Sequence, residues 1–426
     1  MISIILNKLN SVKKFPFYIL TPIVYAIGTA SEEILVAIQK AKDLDKKILI
    51  ITPDTAQNFL KYNVCNNFLF THLKINDYLQ NDNKITKNFF KFFIELEFLF
   101  LRIFILFLEK LIKNFKIEKF RFPRIGINFS YSKNDINQGN FMNQNFDDIS
   151  PLILNKNKIQ VNLDNQYLSK IKKIHNFDFL EPYVCIQVRD SAYYNDGNRK
   201  NYRNSNVENY YDLINYLLSK NYKVIRMGTK VNHKLKLKNK NLIDYPYSDF
   251  NHKYLDLYLI QNCNFFVGTS SGLIDVAWLF NRPVLLTNMV NIFSGLPRNQ
   301  SDRGLFKKIY KQSGEELTLR EYISLPFAMH NLDLNIKNLN FRENTKEELY
   351  TAIHEFNEII EKKTTNELNK KQILFNELVI FRLKELFYDR KEKNCLINYH
   401  ACLNMLRMTK SCKGSLLSFY LNKNFN

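Results

Sequence analysis

The chain has 426 residues, of which 46% are hydrophobic and 14% aromatic. This length exceeds what one hydrophobic core usually serves, so it predicts two domains with extensions. The formal net charge of +20 favours anionic partners such as phosphates, acidic glycans or acidic lipids, although a diffuse lysine bias would give the same total. The basic residues form neither a dense block nor a recognition motif for nucleic acid, which argues against that partner.

Six cysteines are spread along the chain without any CxxC pair, which argues against a zinc site. Cys185 and Cys263 fall in or beside predicted strands and are typical of small core residues in a reduced, cytoplasmic protein. The apolar stretch Met1–Leu6 is short, and lysines follow it rather than precede it. The N-terminal sequence is therefore unlike a secretory signal peptide.

The first half of the chain begins with a predicted βαβ unit. Phe17–Tyr25 is an apolar strand, Gly28 lies in a turn, and Glu32–Ala41 has helical spacing with acids in its first turn. Lys47–Ile51 is the second strand. We expect an N-terminal Rossmann-like domain over residues 1–165.

A phenylalanine-rich helix is predicted over Asn88–Asn114. Charged residues at 91, 95, 97 and 102 argue against a membrane span. Two interpretations remain: residues 89–112 are a buried core or interdomain helix, or they lie in the plane of a membrane surface. The second predicts binding to anionic vesicles that weakens with salt and with Phe98→Asp or Phe104→Asp.

Two polar segments follow, a predicted loop over 130–148 and an interdomain connection over 155–178. A second Rossmann-like domain is expected over 175–340 and a helical extension over 341–426, with no acid after Glu392. The predicted strands of the second domain are Tyr183–Val188, Tyr222–Met227, Asn241–Tyr245, Phe265–Val267 and Val284–Leu286. The predicted helices are Val207–Leu218 with Asn206 as its cap, Tyr254–Ile260, Leu273–Phe280, Thr345–Glu361 and Glu367–Phe387.

The turn at residues 268–272, GTSSG, joins a buried strand to the start of a helix. Free backbone N–H groups and the positive end of the helix dipole favour a phosphate there. The turn lacks the lysine of a Walker A loop, and it is not a GxSxG elbow. We expect Gly268→Val or Ser270→Glu to weaken phosphate binding with little loss of fold.

Polar residues also follow the other strands of the second domain at their carboxyl ends, where open α/β sheets bind ligands. Arg189 and Arg226 are expected to grip a pyrophosphate rather than to serve the fold. The loop 191–205 is either a solvated loop or a segment that orders over a substrate. The candidate binding residues are Arg189, Asp190, Arg203, Asn204, Arg226, Gly228, Thr229, Tyr245, Ser248, Gly268, Thr269, Ser270, Ser271 and Gly272. No paired carboxylates suggest a divalent metal, so no metal or other cofactor is expected.

Four segments, in this order and spacing, resemble a family of bacterial glycosyltransferases associated with surface polysaccharide genes. They are YVCIQVRDSAYY, YRNSNVENYYDLINYLLSKNYKVIRMGT, IDYPYSD and FFVGTSSGLIDVAWLFNRPVLLTN, which fall within residues 180–325. The strand that ends at Arg189 is also distantly similar to the His-x-Arg segment of fucosyltransferases, with Gln187 in place of the histidine.

The resemblance implies a GT-B fold, in which two Rossmann-like domains with parallel sheets face each other and the second binds a nucleotide-sugar donor. It implies that Arg189, Arg226 and Thr269–Gly272 hold the donor diphosphate, with Tyr245–Ser248 near the base. The family's first-domain turn usually carries a histidine soon after its glycine, whereas this chain has threonine there.

In an inverting GT-B enzyme, a carboxylate or histidine of the first domain deprotonates the acceptor hydroxyl. Glu32 is the candidate base, and the alternative is that Glu32 and Glu33 serve only the helix dipole. We expect a metal-independent transferase that moves a sugar from a nucleotide-sugar co-substrate to a surface-glycan or lipid-linked acceptor. It would work in the cytoplasm, bound peripherally at the inner membrane. The alternatives are a sugar-nucleotide epimerase or hydrolase, and an inactive sugar-nucleotide-binding subunit of a glycan assembly complex.

Overall fold

The computed structural model describes residues 2–52, 64–75, 83–111, 125–126, 159–163, 165–175, 178–192, 201–325, 338–362, 368–393, 406 and 408–425. The chain divides into two compact units. Unit 1 comprises Met1–Asn162 and Leu386–Asn404, and unit 2 comprises Leu163–Glu385 and Met405–Asn426.

The helices are α1 Ile2–Ser11, α2 Ile27–Asp43, α3 Phe68–Thr71, α4 Lys84–Leu111, α5 Asn165–His175, α6 Tyr211–Ser219, α7 Lys253–Asn262, α8 Gly272–Leu279, α9 Ile292–Gly295, α10 Leu319–Ser324, α11 Lys346–Lys362, α12 Lys370–Lys393 and α13 Ser418–Asn424. The strands are β1 Phe17–Leu20, β2 Lys47–Ile50, β3 Leu73–Lys74, β4 Gln160–Val161, β5 Tyr183–Gln187, β6 Lys223–Arg226, β7 Leu242–Asp244, β8 Phe265–Gly268, β9 Val284–Met289, β10 Arg303–Phe306, β11 Lys308–Lys311, β12 Leu339–Arg342 and β13 Ser415–Leu416.

The predicted βαβ unit of unit 1 is confirmed, because β1 and β2 pair in parallel and α2 connects them. The start of α2 differs from the prediction. This helix begins at Ile27 and has no acid in its first turn, so the prediction that Glu32 and Glu33 open the helix is wrong. Ala30 and Ile34 are fully buried on α2. Their burial favours helix through Gly28, whose weak helix propensity suggested a turn.

The long helix α4 packs one side against the core of unit 1. That core contains Leu6, Ile19, Leu49, Ile51, Ile94, Phe98 and Ile125. Glu97 is also buried, and its carboxylate accepts hydrogen bonds from the backbone N (2.6 Å) and Oγ (3.1 Å) of Ser3. These bonds replace the water that a buried carboxylate loses. Among the described residues, no helix has the length and apolar character needed to cross a membrane.

Unit 2 is built on a seven-stranded parallel sheet with the order β13-β10-β9-β8-β5-β6-β7. This sheet confirms the predicted α/β class. The two central strands, β5 and β8, are buried at every position, as expected for parallel strands covered on both faces. From β5 the chain builds outward to β7, then returns to β8 and builds in the other direction. The strand order therefore reverses between β5 and β8.

Several elements of unit 2 were not predicted. Strand β10 begins with Arg303-Gly304 and so lacks a continuous apolar run, and β13 contains only two residues. Strands β11 and β12 form an antiparallel pair. The predicted helix over Thr345–Glu361 is confirmed as α11, and its Phe356 packs edge-on against Phe265 of β8 with ring centroids 5.2 Å apart.

Candidate functional site

The candidate site lies where the strand order of unit 2 reverses. Gln187, the last residue of β5, pairs with Gly268, the last residue of β8. The segments that follow these two strands leave the same edge of the sheet side by side. In open α/β sheets, ligands bind in the crevice at such a position, outside the carboxyl ends of the strands.

Hydrogen bonds tie the two strand ends together. Thr269 Oγ1 accepts from the backbone N of Arg189 at 2.9 Å, and Thr269 N donates to Gln187 O at 3.2 Å. Ser271 Oγ donates to Gln187 Oε1 at 2.6 Å. Gln187 thus helps to hold the GTSSG turn in place.

Helix α8 begins directly after this turn. Ser271 is its N-cap residue, and its side chain makes no cap bond to the helix but donates its hydroxyl proton to Gln187. The first N–H groups of a helix have no acceptor within that helix. Ile274 N donates to Ser271 O at 3.3 Å, which leaves the N–H groups of Gly272 and Leu273 for an anion at the helix start, where the dipole favours negative charge.

Gly268 is required by packing. A Cβ at this position would lie 2.8 Å from Cγ1 of Ile274 and 2.9 Å from Cε1 of Phe266. The residue lets α8 approach β8 closely. The prediction that Gly268→Val leaves the fold intact is therefore wrong, and this variant does not separate binding from folding.

Arg203 and Asn204, two predicted substrate contacts, lie beside the turn, and contact with a substrate stays a prediction. Arg203 donates from Nε to Ser270 Oγ at 3.2 Å and from Nη2 to Ser270 O at 2.6 Å. Arg189 donates from Nη1 to Asn204 Oδ1 at 2.7 Å and is itself buried. The structure therefore brings two arginines and a helix N-terminus together. Residues 193–200 of the predicted loop lie outside the described residues.

Lys307 adds a third cation that the sequence analysis missed. It follows β10, is buried, and donates from Nζ to the backbone O of Asn204 at 2.5 Å. Burial lowers the pKa of Lys307 to about 8; Glu343 opposes this lowering, and the positive charge of Arg189 adds to it. Glu343 accepts from Asn206 N at 2.7 Å. The site thus holds three cationic side chains and one carboxylate.

Arg226 is held by contacts within unit 2. It is buried and pairs in register with Asp244 of the neighbouring strand β7. Its Nη1 lies 3.2 Å from Asp244 Oδ1 and donates to His233 O at 2.6 Å. These contacts tie Arg226 to strand β7 and to the loop after β6, and a contact with a diphosphate stays a prediction. Breaking such a buried ion pair would leave Asp244 uncompensated.

Asp190 lies in the loop after β5, and Gly228 and Thr229 lie in the loop after β6. Asp190 accepts from the backbone N of Ala192 (2.9 Å) and of Asn232 (2.8 Å), so its carboxylate joins the two loops. Gly228 has φ +146°, a backbone conformation that favours glycine, and Thr229 is exposed. A ligand contact by any of the three stays a prediction.

Tyr245 and Ser248 are engaged within a short 3₁₀ turn, Tyr245–Tyr247. The Tyr245 ring is fully buried, and its hydroxyl accepts from His252 N at 2.9 Å. Ser248 Oγ donates to Tyr245 O at 2.8 Å. Both residues shape the loop after β7, and the predicted position near a nucleotide base stays a prediction.

Glu32 lies in the second turn of α2 and is half-buried. Its neighbour Glu33 is fully buried and accepts from the backbone N of Ile23 at 2.7 Å, in the segment after β1. Glu33 therefore anchors α2 to the carboxyl end of β1. The assignment of Glu32 as a base stays a prediction.

In the part of the chain that the structure describes, no three histidine, cysteine, aspartate or glutamate side chains cluster as metal ligands would.

No family model and no curated protein matches the chain. Similar solved structures include the ADP-heptose LPS heptosyltransferase II of E. coli, at 12% identity and a TM-score of 0.38 over 82% of this chain and 99% of that chain. The iron-containing dodecameric glycosyltransferase TibC from enterotoxigenic E. coli H10407 matches at 12% identity and a TM-score of 0.33, over 82% of this chain and 76% of that chain. A family 9 glycosyl transferase from Veillonella parvula DSM 2008 matches at 9% identity and a TM-score of 0.32, over 64% of this chain and 80% of that chain. Since TM-scores below 0.5 do not identify an activity, the function is argued from the site residues.

Proposed function

We propose that the protein is a glycosyltransferase that binds a nucleotide-diphosphate sugar at the carboxyl edge of unit 2. The observation that carries this proposal is the cationic cluster at the reversal of strand order. Arg189, Arg203 and Lys307 converge there beside the N-terminus of α8. A diphosphate suits this arrangement, because arginine forks bind its oxygens in pairs and the helix N–H groups donate hydrogen bonds to a further oxygen.

The same cluster supports the chemistry of transfer. An acceptor hydroxyl oxygen attacks the anomeric carbon, the bond from that carbon to the diphosphate oxygen breaks, and a base takes the hydroxyl proton. Negative charge then builds on the departing diphosphate. Preorganised cations stabilise that charge without reorganising. We assign this role to Arg203 and Lys307, and we keep Glu32 as the proposed base. The proposed acceptor is a surface glycan or its lipid-linked precursor.

Calorimetric titration with nucleoside diphosphates tests the donor site. Arg203→Ala removes a charge-assisted contact of about 1.5–3 kcal/mol and should weaken binding roughly ten- to hundred-fold. Arg282→Ala is the matched control, because Arg282 precedes β9 at the opposite edge of the sheet and donates to Phe280 O and Cys263 O. This control loses the same charge and should keep wild-type affinity. Equal affinity in both variants would refute the assignment.

Product analysis with nucleotide sugars then tests the activity. A transferase releases nucleoside diphosphate only when an acceptor is present, apart from slow hydrolysis. A sugar-nucleotide epimerase or hydrolase converts the donor without any acceptor. Tight binding with no conversion under either condition identifies an inactive binding subunit. Either of the last two results would overturn the proposed transfer while leaving the donor site intact.

A further inference from the structure

An exposed apolar stripe runs along α4 in unit 1. Phe100 is 65% exposed and Phe104 is 52% exposed. The other large apolar residues exposed on this helix are Ile85, Phe89, Phe92, Phe93, Leu99, Ile103, Leu106, Phe107 and Leu111. At about 100° per residue, these side chains occupy roughly 160° of the helix surface.

The opposite side of α4 already packs against the core of unit 1. Ile94 and Phe98 are buried there, and Glu97 is bonded to Ser3. The stripe is therefore a second apolar surface on the same helix. Its six phenylalanines alone expose roughly 600 Å², if a phenylalanine offers about 200 Å² in total. An apolar patch of this size is at the upper limit for monomeric proteins and marks an interaction surface.

Basic residues border this stripe. Lys84, Lys91 and Arg102 recur at intervals of seven and eleven residues, which places three basic residues along one edge of it, together with one acid, Glu95. The sequence continues beyond α4 with Lys113, Lys116, Lys119, Arg121 and Arg124 against one acid, Glu118. Helix α1, which packs beside α4, exposes Ile4 and Ile5. A phenylalanine-rich face with a basic border is typical of a helix that lies in the plane of an anionic membrane surface.

We infer that the α4 stripe inserts into the interfacial layer of an anionic lipid bilayer, with the helix axis parallel to the membrane. The inference stands independently of the proposed transfer. A second copy of the chain fits this surface less well, because association would bring two molecules of formal charge +20 together. An anionic lipid surface instead attracts each lysine or arginine that lies near it.

Vesicle co-sedimentation tests the inference. The wild-type chain should bind vesicles that contain phosphatidylglycerol, bind phosphatidylcholine vesicles weakly, and lose affinity in 1 M salt, where the Debye length is about 3 Å. The double variant Phe100→Ser/Phe104→Ser should bind the anionic vesicles about tenfold less tightly or worse. Phe381→Ser is the matched control, because Phe381 is 59% exposed on α12 in unit 2. Its binding should equal that of the wild type.

Both substitutions in the double variant fall on exposed side chains, and matching circular-dichroism melting curves would show that the fold is kept. Phe98→Asp does not serve here, because Phe98 is 3% exposed and belongs to the core; the prediction that its loss reports on membrane binding is wrong. Absence of binding at low salt, or undiminished binding by the double variant, overturns the inference. A lipid-independent dimer that the double variant abolishes, without vesicle binding, assigns the stripe to a second copy and also overturns it.

Discussion

Lys307→Met should weaken the binding of a nucleoside diphosphate without lowering the stability of the fold. The side chain is 4% exposed, and burial lowers its pKa from the usual 10.5 to about 8. At about 1.4 kcal/mol per pKa unit, keeping this lysine charged in the folded state costs about 3 kcal/mol at neutral pH. Methionine removes that cost but leaves Asn204 O without its donor, which costs about 1–3 kcal/mol. We therefore expect the variant to be as stable as the wild type at pH 7, or up to about 2 kcal/mol more stable.

The difference in free energy of unfolding between the wild type and Lys307→Met should depend on pH. Below pH 8 the lysine is charged in both the folded and the unfolded chain, so the full cost is present. Between pH 8 and 10.5 only the unfolded chain keeps the proton, and the free energy of unfolding of the wild type rises relative to the variant by up to about 3 kcal/mol. Urea unfolding followed by tryptophan fluorescence measures this difference, because Trp278, the single tryptophan, is buried in unit 2.

The affinity for a nucleoside diphosphate should change in the opposite direction. At pH 7 the variant lacks a charge-assisted contact of about 1.5–3 kcal/mol, so its affinity should fall roughly ten- to hundred-fold. The difference in affinity between the wild type and the variant should narrow above pH 8, where the wild-type lysine loses its own charge. Parallel pH profiles for the two proteins, together with strong destabilisation of the variant at pH 7, would show that Lys307 is an ordinary structural cation and refute the reasoning.

Two further predictions concern the turn and the metal. Gly268→Val should lower the free energy of unfolding by about 1–3 kcal/mol or more, because its side chain would overlap Ile274 and Phe266. A shift in the urea midpoint measures this loss, and an unchanged midpoint would contradict the packing argument. Sugar transfer should survive EDTA, since the arginine and lysine cluster is proposed to stabilise the leaving diphosphate. Loss of activity in EDTA that manganese or magnesium restores would show that a metal is needed.

Five of the seven strands of the unit 2 sheet, β5 to β9, could be predicted because they are apolar runs bounded by turn residues. Phe265–Gly268 and Val284–Met289 are examples, and the GTSSG turn between β8 and α8 gives the helix start directly. Strands β10 and β13 could not be predicted in this way. β10 lacks a continuous apolar run, β13 contains only two residues, and the pairing of the two strands joins segments far apart in the chain.

Site residues at the ends of recognisable strands could be predicted. Contacts that depend on how the strands pair could not. Arg189 and Ser270 come from the ends of recognisable strands. Arg226 also ends a strand, but its partner Asp244 becomes visible only when the register of β6 and β7 is known. Lys307 is one of two adjacent lysines after an unrecognised strand, so nothing in the sequence distinguishes it from Lys308.

The pairing of β13 with β10 has a consequence for synthesis of the protein. β10 can bond along its outer edge only after Ser415–Leu416 has left the ribosome, and Gly414 must then fit where a Cβ would lie 2.5 Å from Cβ of Pro297. At roughly 5–20 residues per second, about ten seconds separate the emergence of these two strands. During that interval the nascent sheet presents an open edge, the kind of surface that pairs with other chains. Nascent chains stalled before residue 415 should therefore recruit chaperones more strongly than chains released at full length.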